Sequence, residues 1–540
     1  MRRPSPHTAA LIQRLIEPVS FRERLWPRNY AAMLSQIADS NEPSAIVEIV
    51  PFVLSETSVA FAAANAVHKL LRGTTVNDLA WLDSALRVRS PYAGEQFYEW
   101  HKMSPSQIGR LERFGDTSIS VLGLASFHQS GYVREAAIER LSLITTGAEV
   151  PFLILRLNDW VSNVRDASYN AVRSRLKPEY CRSFIANFAL LSRLEYAGRA
   201  DHKQIIQEIN GLLRSHECRA VLLESLKSED RFVRRASFRL ALESTDSDLQ
   251  QIVRLALSDP DTVVRTWAAR RVSTAFEGRT LHQFLELMKR DRFMPVRREA
   301  LRIAVKLTSP QLHDELRTAL LDAHVSMREE SRYHSRLILL MDFAAFYRQH
   351  LTAAEPRTLY SAISGLGETG KAEDDRFIVP YTSHALSKIR RAAVRALANL
   401  NRGAHLDVFI EALKDDVPSV SRQGLEALAD QGFLVSAARA WELFKTAPHD
   451  HVKVNALSLI ESLSKWDSIG YLVRALCDAD EAIVEMSRSG IQRWLARFNR
   501  SFSSPTAEQI AKLRSALEEC GNRIDEATQE QLWFSLRGFS

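Results

Sequence analysis

Asp230–Leu242, DRFVRRASFRLAL, decides how this chain is read. Val233 is followed directly by Arg234, and small or apolar residues stand three, four, seven and eight places after the valine, at Ala236, Ser237, Leu240 and Ala241. Those positions share one face of a helix with a 3.6-residue period. The same grammar, an apolar anchor and then a basic residue, returns at Val133-Arg134, Val164-Arg165, Val264-Arg265, Val296-Arg297, Met327-Arg328, Ile389-Arg390 and Val452-Lys453. Val420 and Ile483 fill the anchor position without the basic partner. Successive anchors lie 31, 69, 31, 32, 31, 62, 31, 32 and 31 residues apart, so the two outliers are doubled periods that each hide a degenerate repeat. A period near thirty with two helices per unit predicts an all-α solenoid of stacked antiparallel helix pairs.

In such an array each unit buries its apolar face against its neighbours, so the 540 residues predict one continuous rod and not several globular domains. A hydrophobic content of 46% and a charged content of 25% are ordinary for a folded chain, and Gly 20 with Pro 18 is too little for a disordered or collagenous one. Cys181, Cys218, Cys477 and Cys520 are far apart, with no CxxC and no Cys/His pairing at metal spacing. Their spacing predicts neither a disulfide framework nor a zinc site, and fits a reducing cytoplasm. The opening MRRPSPHTAALIQRLIEPVS has arginines but no apolar run of signal-peptide length, and no later stretch approaches eighteen uninterrupted apolar residues. The expectation is therefore a cytoplasmic protein without a membrane span.

Residues 1–43 carry one helical pattern and read as an N-terminal cap. Residues 44–118 hold a first helix pair, SAIVEIVPFVL with SVAFAAANAVHKLL, and then an irregular block containing Trp81, Pro91, Tyr92, Phe97, Tyr98, Trp100 and Pro105. The regular array occupies 119–497. Within it residues 182–214 and about 341–370 fill the long gaps and are each expected to form an ordinary helix pair, because a missing pair would expose the apolar faces of both neighbours. Residues 498–540 read as a C-terminal cap, with Ser504 and Pro505 suited to start a helix.

The run HALSKIRRAAVRALANL (384–400) and units such as LSDPDTVVRTWAARRV (257–272) resemble the HEAT repeat, and ISGLGETGKAED (363–374) is similar to the helix close of the short HEAT-like repeats shared with phycobilisome lyases. The resemblance covers 119–497, and 44–72 more weakly. It implies a right-handed solenoid in which an Asp before the second helix and the Arg after its anchor link neighbouring units in a polar ladder. Asp159, Asp230, Asp261, Asp291 and Asp322 lie three to five residues before their anchors and suit that role.

Two motifs are set aside on chemical grounds. Gly365-Leu366-Gly367-Glu368-Thr369-Gly370-Lys371 satisfies GxGxxG and nearly a P-loop, but Ala372 stands where a hydroxyl is required for magnesium and Glu373-Asp374-Asp375 would repel phosphate. His449-Asp450-His451 lacks a further metal ligand and reads as an inter-helix turn. No GxSxG, HExxH or paired-carboxylate signature is present, and no cofactor or metal is implied.

One charge pattern points to function. Two and six residues after each anchor, one turn apart and away from the packed face, stand Glu135/Glu139 and Asp166/Asn170, then Arg235/Arg239, Thr266/Arg270, Arg298/Arg302, Glu329/Tyr333, Arg391/Arg395 and Arg422/Glu426. Residues 231–306 hold 16 Lys+Arg against 9 Asp+Glu, although the whole chain is only +6. The HEAT resemblance implies that second helices line a concave groove, so Arg235, Arg239, Arg270, Arg298, Arg302, Arg391, Arg395 and Arg422 become the candidate binding residues. The reading is a non-enzymatic scaffold or adaptor that holds an acidic protein partner along this groove. Nucleic-acid binding along the same groove is the alternative, opposed by the acidic early repeats. A chromophore lyase or a DNA glycosylase on the same scaffold is a third reading, without a residue constellation to support it.

Overall fold

In the computed structural model, residues 4–17, 28–55, 57–87, 99–243, 248–309, 311–429, 435–500 and 503–537 are described, and every regular element among them is helical. None of the described helices is long and apolar enough to cross a membrane. The chain is a succession of antiparallel helix pairs and divides into two units, Met1–Leu287 and Met288–Ser540.

The first unit begins with α1 (Pro6–Ile16), α2 (Tyr30–Asp39), α3 (Thr57–Arg72) and α4 (Val76–Ala85). Ser5 caps α1 by accepting from the Thr8 N–H with Pro6 in the first turn, and Thr75 and Asp78 form a capping box at α4. A run of 3-10 helix at Pro105–Thr117 then leads into the array through Gly115, whose φ of +57° suits glycine. The pairs α5 (Ser118–Ala125) with α6 (Gly131–Ser142) and α7 (Val150–Arg156) with α8 (Ser162–Arg173) follow. Of the irregular aromatic block, Trp100 is fully buried, whereas Pro91, Tyr92, Phe97 and Tyr98 lie outside the described residues.

The first long gap keeps its place in the stack, but not as an ordinary pair. The run expected to be one helix breaks at Asn187, whose φ of −104° and ψ of 17° leave the helical region while its side chain donates to the Ser183 carbonyl at 2.9 Å. The result is α9 (Cys181–Ala186) and α10 (Phe188–Leu194), backed by α11 (Lys203–Leu213), which buries Ile205, Ile209 and Leu213 at spacings of four. The unit continues with α12 (Arg219–Ser225), α13 (Arg231–Leu242), α14 (Leu249–Leu257) and α15 (Thr262–Ala275). The opening stretch is thus the second helix of a pair, as its pattern predicts.

Helix α16 (Gly278–Lys289) spans the division. The second unit then contains α17 (Met294–Leu307), α18 (Leu312–Leu320), α19 (Val325–Ile338), α20 (Phe343–Gln349), α21 (Pro356–Thr369), α22 (Ser387–Asn401), α23 (Leu406–Leu413), α24 (Pro418–Ala429), α25 (Ala437–Lys445), α26 (Asp450–Ser462), α27 (Lys465–Ala475), α28 (Glu481–Arg497), α29 (Ala507–Cys520) and α30 (Glu526–Ser535). The second gap is an ordinary pair, α20 with α21. One apolar core runs from Leu320 through the anchors Ile389, Val420, Val452 and Ile483 to Leu536, and a smaller one joins Leu301, Leu312, Leu316, Ala319 and Met327. Anchors buried this completely are worth about 2–5 kcal/mol each against truncation to alanine.

The GxGxxG segment closes a repeat helix, as its resemblance implies, whereas the reading of the cysteines changes. Gly365 and Gly367 lie inside α21, where they admit neighbouring atoms, and Gly370 caps its end. A Cβ at Gly365 would meet the Tyr347 ring at 2.2 Å, and one at Gly367 would meet the Ala396 backbone at 2.6 Å, so α21 and α22 approach closely. The four cysteines, expected to be unpaired, form two bonded pairs, Cys181–Cys218 and Cys477–Cys520, with Cα–Cα distances of 5.8 and 5.6 Å. Residues 37 and 43 apart in sequence meet because a solenoid brings successive turns into contact, which linear spacing does not reveal. Cysteine spacing therefore no longer argues for a reducing compartment.

Candidate partner-binding helix faces

The basic residue after each anchor turns inward. Arg134, Arg234, Arg297 and Arg390 each donate Nε to an aspartate 25 residues on, Asp159, Asp259, Asp322 and Asp415, at 2.7–2.9 Å. Lys453 reaches Asp478 at the same separation, at 2.8 Å. The arginine Nη1 also donates to carbonyls of the turn before its own helix, His128, Ser228, Asp291 and His384 at 2.7–3.1 Å. Each aspartate turns its Oδ1 back to the N–H two residues on, at Val161, Asp261, His324, Val417 and Asp480. One carboxylate thus closes its own turn and holds the preceding repeat.

The ladder predicted from the HEAT resemblance exists, with its aspartates five residues before the anchor. Asp159 and Asp322 are such members. Asp230 and Asp261 lie three before their anchors and instead cap α13 and α15, accepting from the N–H groups of Phe232 and Val263 at 2.7 and 2.9 Å. Asp291 accepts from the Phe293 N–H at 2.7 Å. Burial pushes the Asp159 carboxyl up, but bonds from Arg134 and the charge of Arg156 outweigh it and hold the group below the usual carboxylate range. Arg156 extends this network, meeting Asp159 at 2.9 Å and Asp83 of α4 at 2.6 Å, so the irregular block is tied into the array by charge.

Arg328 has no such partner, because the residue 25 places on is Ala353. It bonds Glu368 of α21 instead, and Arg332 meets the same carboxylate at 2.7 Å. Glu368 of the GxGxxG segment therefore bridges the degenerate repeat.

The eight candidate arginines divide. In the first unit Arg235 is bound to Asp261, Arg239 lies 3.7 Å from Glu195, and Arg270 is exposed with no side-chain partner among the described residues. In the second unit Arg302 is held bidentate by Glu330 of the next repeat, at 2.7 and 3.3 Å. Arg302, read from the sequence as a binding residue, therefore also links repeats. Arg422 sits 3.4 Å from Glu426 on its own helix. Arg395 donates to Gln423 at 3.0 Å, an amide that leaves its charge uncompensated. Arg298, half-buried, and Arg391, exposed, have no side-chain partner among the described residues.

The pairs Arg302–Glu330 and Arg395–Gln423 both span 28 residues. They form a second register, from six after one anchor to three after the next, that sequence reasoning missed although the spacing carries it. It also missed Arg357 and Lys388, one residue before their anchor positions, the latter placing its ammonium 4.4 Å from the centre of the Tyr360 ring. Of the His449/His451 pair, His451 bonds the Asp415 carbonyl at 3.0 Å.

No family model and no curated protein matches this chain. Solved structures of karyopherins are similar to it at low identity. Yeast importin-beta (Kap95p) is 13% identical over 99% of this chain and 72% of that one, with a TM-score of 0.37. The Kap95:Nup1 complex gives 12% identity, 99% and 80% coverage and a TM-score of 0.34, and Kap121p gives 11%, 98% and 74% with 0.29.

Proposed function

We propose that the chain is a non-enzymatic binding scaffold whose second helices hold an acidic segment of a partner protein. The observation that carries this reading is α22. Its sequence, SKIRRAAVRALANLN, contains no acid, and Lys388, Arg391 and Arg395 fall three and four residues apart on one face. None of the three meets a carboxylate among the described residues, whereas Arg390, on a different face, is committed to Asp415. Guanidinium groups without a counter-charge on a rigid helix are pre-placed for bidentate capture of carboxylates. A protein segment suits these faces better than a duplex, because Glu329 and Glu426 interrupt the positive field that a continuous phosphate backbone needs.

Fluorescence anisotropy with a labelled oligoglutamate peptide and a random duplex tests this. Arg391→Glu with Arg395→Glu is expected to weaken the peptide about tenfold or more while the thermal midpoint stays unchanged. Tighter binding of the duplex, with a steep loss in salt, would give the face to nucleic acid instead.

A further inference from the structure

A cleft of about 530 Å³ opens in the second unit beside the starts of its second helices, lined by Arg290, Arg292, Arg357 and Lys388 over an apolar floor that includes Leu386 and Pro356. None of the eight arginines of the stripe lines it, although it shares Lys388 with the α22 face. Arg290, Arg292 and Arg357 are exposed and none has a side-chain ion pair among the described residues. Arg297 also lines the cleft but is committed to Asp322, and the acid at the rim, Asp291, accepts from the Phe293 N–H at its Oδ1. Two long helices begin here, α21 with Pro356 in its first turn and α22 after Leu386, and neither is capped by a side chain. Their dipoles add positive potential to the four cations.

The geometry points to a binding site for a phosphorylated side chain of a partner protein. Four cations converging on one opening exceed what a single carboxylate neutralises, and a phosphate monoester brings nearly two charges and three acceptor oxygens. The floor of Ala323, Pro356, Leu386 and Ile389 suits the apolar residues flanking such a group, and among the described residues no aromatic ring lines the cleft for a nucleobase to stack on. The inference shares with the proposed function the premise that the partner is a protein, and shares Lys388 with its α22 face.

The test uses the full chain and a labelled peptide, Ala-Ala-Leu-phosphoserine-Leu-Ala-Ala, beside its unphosphorylated twin and an oligothymidylate. The phosphopeptide is expected to bind at least about tenfold more tightly than the twin, and Arg292→Gln with Arg357→Gln to remove that advantage. Both side chains are exposed, so the thermal midpoint should hold; Arg290→Gln, outside the α22 face, provides a second variant. Arg391→Glu with Arg395→Glu should leave the phosphopeptide within about twofold, so that loss of the acidic face and loss of the cleft are read separately. Equal affinity for the two peptides overturns the inference, as does a phosphopeptide preference that survives both cleft variants. So does an oligothymidylate that binds more tightly than the phosphopeptide and is lost with the same residues.

Discussion

Arg390 and Asp415 meet through two parallel hydrogen bonds, Nε to Oδ2 at 2.7 Å and Nη2 to Oδ1 at 2.8 Å, across 25 residues of sequence. Arg297 and Asp322 repeat that geometry at 2.8 and 2.7 Å. Because the aspartate also closes the turn of its own repeat, each pair couples the entry of one second helix to the preceding one.

Arg297→Ala should therefore destabilise the fold by about 1–3 kcal/mol, since it strands a nearly buried Asp322 carboxylate and two turn carbonyls. Urea unfolding measures this. A change of about 0.3 kcal/mol or less would mean that the pair is a surface contact only.

Glycine positions give a contrast within one experiment. At Gly424 a Cβ would lie 2.5 Å from the Leu413 backbone nitrogen and 2.8 Å from the Phe409 carbonyl, atoms that cannot swing aside, so Gly424→Ala should cost about 1–3 kcal/mol. Gly211, in the interior of α11, has open space around the same position. Gly211→Ala should stabilise by about 0.5–1 kcal/mol through helix propensity alone. Calorimetry on the two variants should show shifts of opposite sign.

Much of this architecture was written in the period. Anchors at 31 or 32 residues placed every regular second helix, because burial at three- and four-residue spacings leaves a signature that one sequence displays. The ladder was foreseen in kind, yet Asp230 and Asp261 were given its role when they are helix caps. Aspartates three and five residues before an anchor look alike in sequence and both accept from the N–H two residues on; what separates them is the anchor arginine 25 residues earlier that the latter meet. The outer face was legible as arginine-rich, but not which arginines are neutralised. That depends on partners such as Glu330 and Gln423 in the next repeat, and on how adjacent second helices are rotated. The break at Asn187 and the cysteine pairs had no linear signal, since both follow from how successive turns meet.

His128 should make stability depend on pH. Burial pushes its imidazole down to about 4, and the ring sits between the Trp100 carbonyl, 2.9 Å from Nε2, and the Ser130 N–H, which donates to Nδ1 at 3.0 Å. That arrangement requires the neutral ring protonated on Nε2, and a second proton would displace the Ser130 bond. With the folded value below the unfolded one near 6.5, the contribution is complete above about pH 6.5 and is lost as pH falls toward 4. Its full size is ~3 kcal/mol. Unfolding free energies between pH 7 and 4.5 should fall more steeply for the native chain than for His128→Gln, and parallel curves would remove His128 from the account.

The paired cysteines predict a thiol count. Denatured without reductant, the chain should react with no thiol reagent, and after reduction with four equivalents. Cys477→Ser opens a loop of 43 residues and should cost about 4 kcal/mol by the loop-closure account. Mass spectrometry of alkylated protein decides the count, and free thiols at Cys181 and Cys218 in non-reduced protein would break the pairing.

Arg298 and Arg302 share α17 and both stand among the candidate binding residues, but among the described residues Arg302 alone of the two is tied to the next repeat. Arg302→Glu sets a carboxylate against Glu330, whose own carboxyl is held below the usual range chiefly by the Arg302 hydrogen bond. The substitution should lower the thermal midpoint modestly, by the equivalent of about 1 kcal/mol, because the arginine is roughly half exposed and solvent screens the pair. Raising the salt concentration should shrink that loss. Arg298→Glu breaks no ion pair among the described residues and should leave the midpoint in place while weakening an acidic peptide held on the same face. Measuring midpoint and affinity on the two single variants separates the roles. If Arg298→Glu melts the protein while Arg302→Glu does not, the division of this face into a linking residue and a presenting residue is reversed, and the assignment of Arg298 to partner binding goes with it.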